Sequence, residues 1–420
     1  MNPMQENRIK NKFNYQMCIL SAIGMIAVML GHIDGGYINE SPQGIITLGG
    51  WLPYYSYHMP LFIFISGYFY NKDFENHISG FLRKKFRTMI LPFYAINGAF
   101  FLFQSLIRLK GFTVGYPFSL KVWLIYPWIT RQPIDFSIPT WYLIAIFLAE
   151  LFFILLRKIV SFFYNNKQYE LLLLFTTLVL GVASVICVRK LNPPEWAIVY
   201  LRSLIMVFFL EAGYFYRNYL EENVQKINNA KYFGTLFAMQ GVMIALLHGD
   251  LDSGLWGITN GFRFYGLAFY VEGIIGITFW LRISEFIAQI PQKFKSLIFI
   301  GKNSKWIMSF HLFGYFVMNT LIYLALKIIG KISQNALFDV GKYKTQIYYC
   351  IPKKQFVIIY ALFGLFITFV LIKIGQFIKM SWKKIIKFIL MKNNNKNQDG
   401  YFVRGEKHKE KDSINFIPRM

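Results

Sequence analysis

The feature that most constrains this chain is a recurrence of long apolar runs separated by short basic connections. A helix needs about 20 apolar residues to cross the hydrocarbon core of a bilayer. Runs meeting that test fall at 17–34, 51–70, 88–106, 140–157, 169–188, 195–216, 231–248, 262–281, 305–329 and 355–379. A water-soluble domain cannot bury them all, since hydrophobic residues make up 55% of the chain and aromatic residues 19%, above the globular average. The expected fold is all-α, a polytopic integral membrane protein of about ten transmembrane helices. An even number of crossings puts both termini on one side.

The formal net charge of +24 does not point to nucleic acid, because the basic residues sit in clusters between apolar runs. That pattern orients a protein in a bilayer, and anionic lipid is the fitting counter-charge. With the N-terminus inside, the inner segments hold Arg8, Lys10 and Lys12, then Lys72 and Arg83 to Arg87, then Arg157, Lys158 and Lys167, and later Arg282, Lys293, Lys295, Lys302 and Lys305. The outer loops carry Asp34, Glu40, Asp250 and Asp252. Both termini are therefore expected in the cytoplasm of a bacterial cell. Two long outer loops, 107–139 and 330–354, carry Arg108, Lys110, Lys121, Arg131, Lys331, Lys342, Lys344, Lys353 and Lys354 against the trend; long loops count little in the rule.

The basic start followed by an apolar run resembles a signal peptide, but no small-residue cleavage site precedes Asp34, so the run reads as a retained first span. The division expected is a cytoplasmic segment 1–16, a transmembrane domain 17–380, and a basic tail 381–420 that lacks apolar periodicity and should be disordered. Cys18, Cys187 and Cys350 are too few and too scattered for a disulfide framework or a zinc site, and no metal is expected.

Chemistry must then lie in the membrane portion. His32 closes the first apolar run, and His58 stands in the second as His58-Met59-Pro60. Ionisable groups at such depth are costly and invite a functional reading. Ser21 precedes His32 by eleven residues, which at 100° per residue places both on one helix stripe about 16 Å apart. Arg83 and Arg87 are four apart before the third span, so on a helix they project together. Later come Pro139-Thr140-Trp141-Tyr142-Leu143, then Gly301-Lys302-Asn303-Ser304 followed by His311.

These segments, spread from about residue 14 to about residue 315, resemble the acyltransferase-3 family of membrane O-acyltransferases, particularly its fucose 4-O-acetylase-like branch. The resemblance implies that acetyl, or another acyl group, moves from acyl-coenzyme A to a hydroxyl of a polysaccharide or lipid-linked glycan. His32 stands where the family has its catalytic histidine. A neutral imidazole, with a reference pKa of about 6.5, suits a general base near neutral pH; the other reading is a buried histidine bonded to a neighbouring helix. His58 reads as a second polar group of the acyl-transfer tunnel or as part of a kinked core helix. Related proteins carry Arg or Lys where this chain has Ser21, so the coenzyme A phosphates need another cation. Arg83 and Arg87 are the candidates, since guanidinium forks grip phosphate oxygens bidentately, although ordinary topological anchoring explains them as well. Asn303, Ser304 and His311 match the family's late Gly-x-x-Ser motif and its following histidine and are candidates for binding the donor; His311 reads equally as a bond to a neighbouring helix. Trp141 and Tyr142 are candidates for stacking on a sugar or adenine ring, or interfacial anchors. Trp123, Tyr126 and Trp128 of the outer loop carry the same two readings.

Glu211, Glu272, Arg202 and Arg263 fall in or beside apolar runs, where an uncompensated charge costs about 2.5–3.5 kcal/mol. Each is expected to find a partner on another span. Two rival functions remain open at this stage. Asp250-Leu251-Asp252 fits a polytopic glycosyltransferase using lipid-linked sugar, and the intramembrane charges fit a glycan exporter, although no inverted repeat is visible.

Overall fold

The computed structural model describes residues 13–37, 51–130, 135–163, 168–249, 251, 254–255, 258, 262–332, 337–347 and 349–409. Asp250 and Asp252, Arg131, and the basic residues of the first twelve positions lie outside the described residues. Every expected span falls on a helix. In chain order these are α1 (Tyr15–Tyr37), α2 (Tyr54–Tyr68), α3 (Ile78–Lys85) continuing through a π-helical turn (Phe86–Ile90) into α4 (Leu91–Arg108), and α5 (Trp141–Phe163). Then come α6 (Gln168–Leu191), α7 (Glu195–Phe215), α8 (Asn229–Leu247), α9 (Leu267–Ala288), α10 (Lys295–Lys302), α11 (Ser304–Ile328) and α12 (Lys354–Lys409). Among the described residues there is no β-strand.

Eight of the described helical stretches are long and apolar enough to cross a bilayer. The other two expected spans are α2, only 15 residues long, and α5, which carries Glu150, Arg157 and Lys158. The protein is thus a multi-pass membrane protein. The chain forms two compact units, Met1–Ile367 and Thr368–Met420, and the site described below belongs to the first. The segment 381–409, expected to lack structure, is helical. It extends a helix already formed, which removes the nucleation cost, and its Lys, Gln and Glu residues have good helix propensity.

α1 is apolar all round, which marks a helix enclosed by protein, and it packs against α2, α9, α10 and α11. In lipid, helices associate through close packing and not through the hydrophobic effect, so small residues mark the crossings. A Cβ on Gly67 of α2 would sit 2.0 Å from the Leu210 carbonyl oxygen, and one on Gly213 of α7 would sit 2.1 Å from that of Phe64. Only hydrogen fits at either point.

Arg157 was expected to anchor the inner surface; the structure buries it completely. Its guanidinium bonds Glu75 at 2.8 Å, Glu170 at 2.9 Å through two nitrogens, and Glu211 at 2.8 Å. It also lies 4.2 Å from the Tyr214 ring centroid. A basic residue near a helix end looks like a topological anchor until the carboxylates of other segments are brought to it. The partner expected for Glu211 is therefore Arg157. Arg202 lies over the Trp141 ring at 4.1 Å, and Glu272 accepts a bond from Gln240 at 3.1 Å. Arg263 does not share a helix with Glu272 as expected. It lies in the turn Arg263–Gly266, where Phe264 and Tyr265 have positive φ, before α9 begins.

The connection after α4 folds back along that helix. Trp123 donates its indole N–H to the Tyr94 carbonyl at 3.1 Å, and Trp128 donates to the Tyr94 hydroxyl at 2.6 Å. Arg108 donates to the carbonyls of Val114 and Gly115 at 3.1 and 2.8 Å, so its charge closes a loop. Beside it, burial raises the Asp135 carboxyl above the usual carboxylate range, against the lowering effects of the Gly115 N–H and Arg108.

Candidate active site

A cavity of about 580 Å³ opens between α1, α2, α5 and the start of α11. Its polar lining includes Ser21, His32, His58, Ser66, Ser304 and Lys305, and Trp141 and Tyr142 add aromatic walls. The rest is mostly apolar, as small-molecule sites usually are. Ser21 and His32 share one stripe of α1, so the cavity follows that helix for about 16 Å from one to the other.

The histidine end is held by main-chain contacts. Tyr55 donates its hydroxyl to the Gly31 carbonyl at 2.9 Å, and Tyr315 donates to that of Met29 at 3.1 Å, on either side of Leu30. α1 is thereby fixed just before His32. His58 bonds the Tyr54 carbonyl through Nδ1, and His311 bonds the Ile307 carbonyl through Nδ1 at 2.8 Å, each one turn back on its own helix. A carbonyl can only accept, so in both rings Nδ1 carries a proton, and in the neutral form Nε2 keeps its lone pair. His311 is fully buried, and its Nε2 has no hydrogen-bond partner among the described residues. Its ring centroid lies 5.2 Å from that of His32. His32 itself is partly accessible because it faces the cavity. Three imidazoles thus meet near one end of the chamber, two lining it and one buried against His32.

The other end is set by the Gly-x-x-Ser segment. A Cβ on Gly301 would lie 2.0 Å from the Cys18 carbonyl oxygen, so the glycine lets α10 press onto α1 one turn before Ser21. Cys18 Sγ, in turn, reaches the Ile298 carbonyl at 3.5 Å. This contact delivers Ser304 and Lys305, at the start of α11, to the wall that Ser21 also forms. Across the cavity the π-helical turn contributes Met89. The α-helical register there is broken before Pro92, which has no N–H for the carbonyl four residues back, that of Thr88. That carbonyl accepts a bond from Lys305 Nζ at 3.0 Å.

Among the residues singled out in the sequence, the structure brings Ser21, His32, His58, Trp141, Tyr142 and Ser304 to one cavity. His311 touches His32 from a buried position. Asn303 stands at the N-cap position of α11, but its side chain turns back and donates its amide to the Phe299 carbonyl at 2.8 Å, without lining the cavity. Arg83 and Arg87 are exposed and do not line it either, while Lys85, between them, pairs with Glu150 at 2.6 Å. Trp123, Tyr126 and Trp128 pack elsewhere. Lys305, read in the sequence only as one more inner cation, turns out to line the chamber; its place directly after Ser304 was the available signal. Among the described residues no three His, Cys, Asp or Glu side chains are placed to hold a metal ion.

The fold and cavity define a polytopic membrane protein with an imidazole-lined chamber between its helices. A family model described as an acyltransferase domain, Acyl_transf_3, matches residues 19–375, and the chain belongs to that family. It is a membrane O-acyltransferase. No curated protein matches the chain, and no solved structure does.

Proposed function

We propose that the enzyme moves an acetyl group from acetyl-coenzyme A to a hydroxyl of a cell-surface or secreted polysaccharide in a bacterial cell membrane, in the manner of fucose 4-O-acetylases. The observation that carries this reading is the chamber itself, with two imidazoles at one end and Ser21, Ser304 and Lys305 at the other. The charge bias of the loops assigns the Ser21 end to the cytoplasm, where acyl-coenzyme A is made.

In this reading the thioester lies along α1 with its carbonyl near His32. His32 takes the proton of the acceptor hydroxyl as that oxygen attacks the thioester carbon. A C–O bond forms, the C–S bond breaks, and the departing thiolate receives a proton from the imidazolium. His311 Nε2 has no partner among the described residues, and a turn of the neighbouring ring would let it accept a His32 N–H, leaving the opposite His32 nitrogen free for the acceptor. His58 is a second neutral imidazole at the same place. Trp141 and Tyr142 offer apolar faces to a sugar or adenine ring, and the exposed Arg83 and Arg87 gather the anionic donor at the cytoplasmic surface.

Purified protein incubated with radiolabelled acetyl-coenzyme A and cell-surface glycan fractions tests the proposal. Label should appear in glycan, and base treatment should release it as acetate, as for an ester. Transfer of sugar from a lipid carrier, or glycan transport without acetylation, would replace this reading with one of its rivals.

A further inference from the structure

Ser21 is neutral, yet the end of the chamber it occupies contains a cation. Lys305 lines the cavity together with Ser21 and Ser304. Among the described residues it has no carboxylate partner, and its ammonium donates to the Thr88 carbonyl. The Trp306 ring centroid lies 4.9 Å from Nζ. An ammonium has three donors, and the Thr88 bond uses one of them.

We propose that Lys305 holds a phosphate of the acyl-coenzyme A donor at the Ser21 end of the chamber, supplying from α11 the charge that α1 lacks. The inference rests on the acyl-coenzyme A reading above and names its binding residue inside the cavity. Three features of the structure converge on it. The Gly301–Cys18 contact fixes the start of α11 against α1, so Lys305 and Ser21 share one wall. The Pro92 break leaves the Thr88 carbonyl without an N–H donor in the α-helical register, and that carbonyl steadies the ammonium without neutralising it. The cavity then leads along α1 towards His32, on the opposite side from which the acceptor hydroxyl must come. Arg87 adjoins Thr88 in the chain and is exposed, so an anion gathered at the surface passes directly to Lys305.

Binding of coenzyme A and of pantetheine, which lacks the phosphates, should be measured by calorimetry on the purified full chain. Wild type, Lys305→Gln, Lys305→Arg and the double variant Ser21→Lys/Lys305→Gln should be compared. Coenzyme A should bind Lys305→Gln about tenfold or more weakly, as expected for loss of a charge-assisted bond, while pantetheine binding is unchanged. Lys305→Arg should retain most of the affinity, and Ser21→Lys should restore part of it to the Gln variant. Equal binding of coenzyme A by wild type and Lys305→Gln would overturn the proposal and leave the donor reading standing. Parallel loss of pantetheine binding would show a structural role and overturn it too. A wild type that binds no coenzyme A would remove the donor reading, and Lys305's role with it.

Discussion

Two polar centres are buried in this bundle, and they are built on opposite rules. At Arg157 one guanidinium is bonded to Glu75, Glu170 and Glu211, ring faces of Tyr214 and Phe153 lie against it, and no part of it is exposed. At the histidine end of the chamber the polar groups are imidazoles: His32 and His58 face open space, and His311 Nε2 lacks a bonding partner among the described residues. Removing charge from water is expensive unless it is paired, so the arginine cluster serves to join α5, α6, α7 and the turn at Lys72–Glu75. A neutral imidazole is cheaper to bury and keeps a lone pair for a passing proton. The first centre is a charge-paired structural knot; the second presents imidazoles to an open cavity and is where the proposed chemistry is placed.

The largest effect should separate the two centres outright. His32→Ala is expected to lower transfer by at least about a hundredfold, the lower end of general-base contributions, while the variant still elutes as one monodisperse species. Wild-type turnover in that protein would remove the imidazole from the reaction. Arg157→Met should do the reverse, because three carboxylates would lose their cation. Breaking a buried ion pair costs about 3–5 kcal/mol, so thermal unfolding in detergent should move down sharply, and activity should fall only with the folded fraction. A stable Arg157→Met protein with abolished turnover would mean that the cluster is not merely structural.

A smaller effect is expected at His311. His311→Phe keeps the ring but removes the acceptor nitrogen, and turnover should drop about tenfold, in the range seen for loss of an orienting partner. His311→Gln, which can still accept a bond, should recover part of it; no difference between the two would assign His311 to packing alone. The smallest effect should come from Arg83→Gln/Arg87→Gln at the surface. The apparent KM for acetyl-coenzyme A should rise a few-fold, with little change for the glycan, and the rise should shrink at high salt because exposed charges are screened. Unchanged donor kinetics would return that segment to topology alone.

Much of this was legible in one dimension. The helices follow from apolar run length, and the Ser21–His32 stripe follows from 100° per residue, since both are local properties of one helix. What joins distant segments was not legible. Arg157 looked like an interfacial anchor because its three partners lie on other segments. Lys305 looked like one more inner cation because its place in the chamber depends on Gly301 meeting Cys18. The aromatic group Trp123, Tyr126 and Trp128 suited a sugar site by composition alone, and only the fold-back onto Tyr94 shows how its indoles are used. His311 was recognised as a candidate by its motif, but its contact with His32 required the packing of α11 on α1.

The central claim is that a neutral imidazole in the chamber takes the acceptor's proton. Its most direct test is the single-turnover rate of acetyl transfer as a function of pH, with donor and glycan saturating. Protonation removes the lone pair, so the rate should fall by about tenfold per unit once the pH is below the working pKa of the imidazole. A rate that stays flat through that range, with chemistry shown to be limiting, would contradict the account.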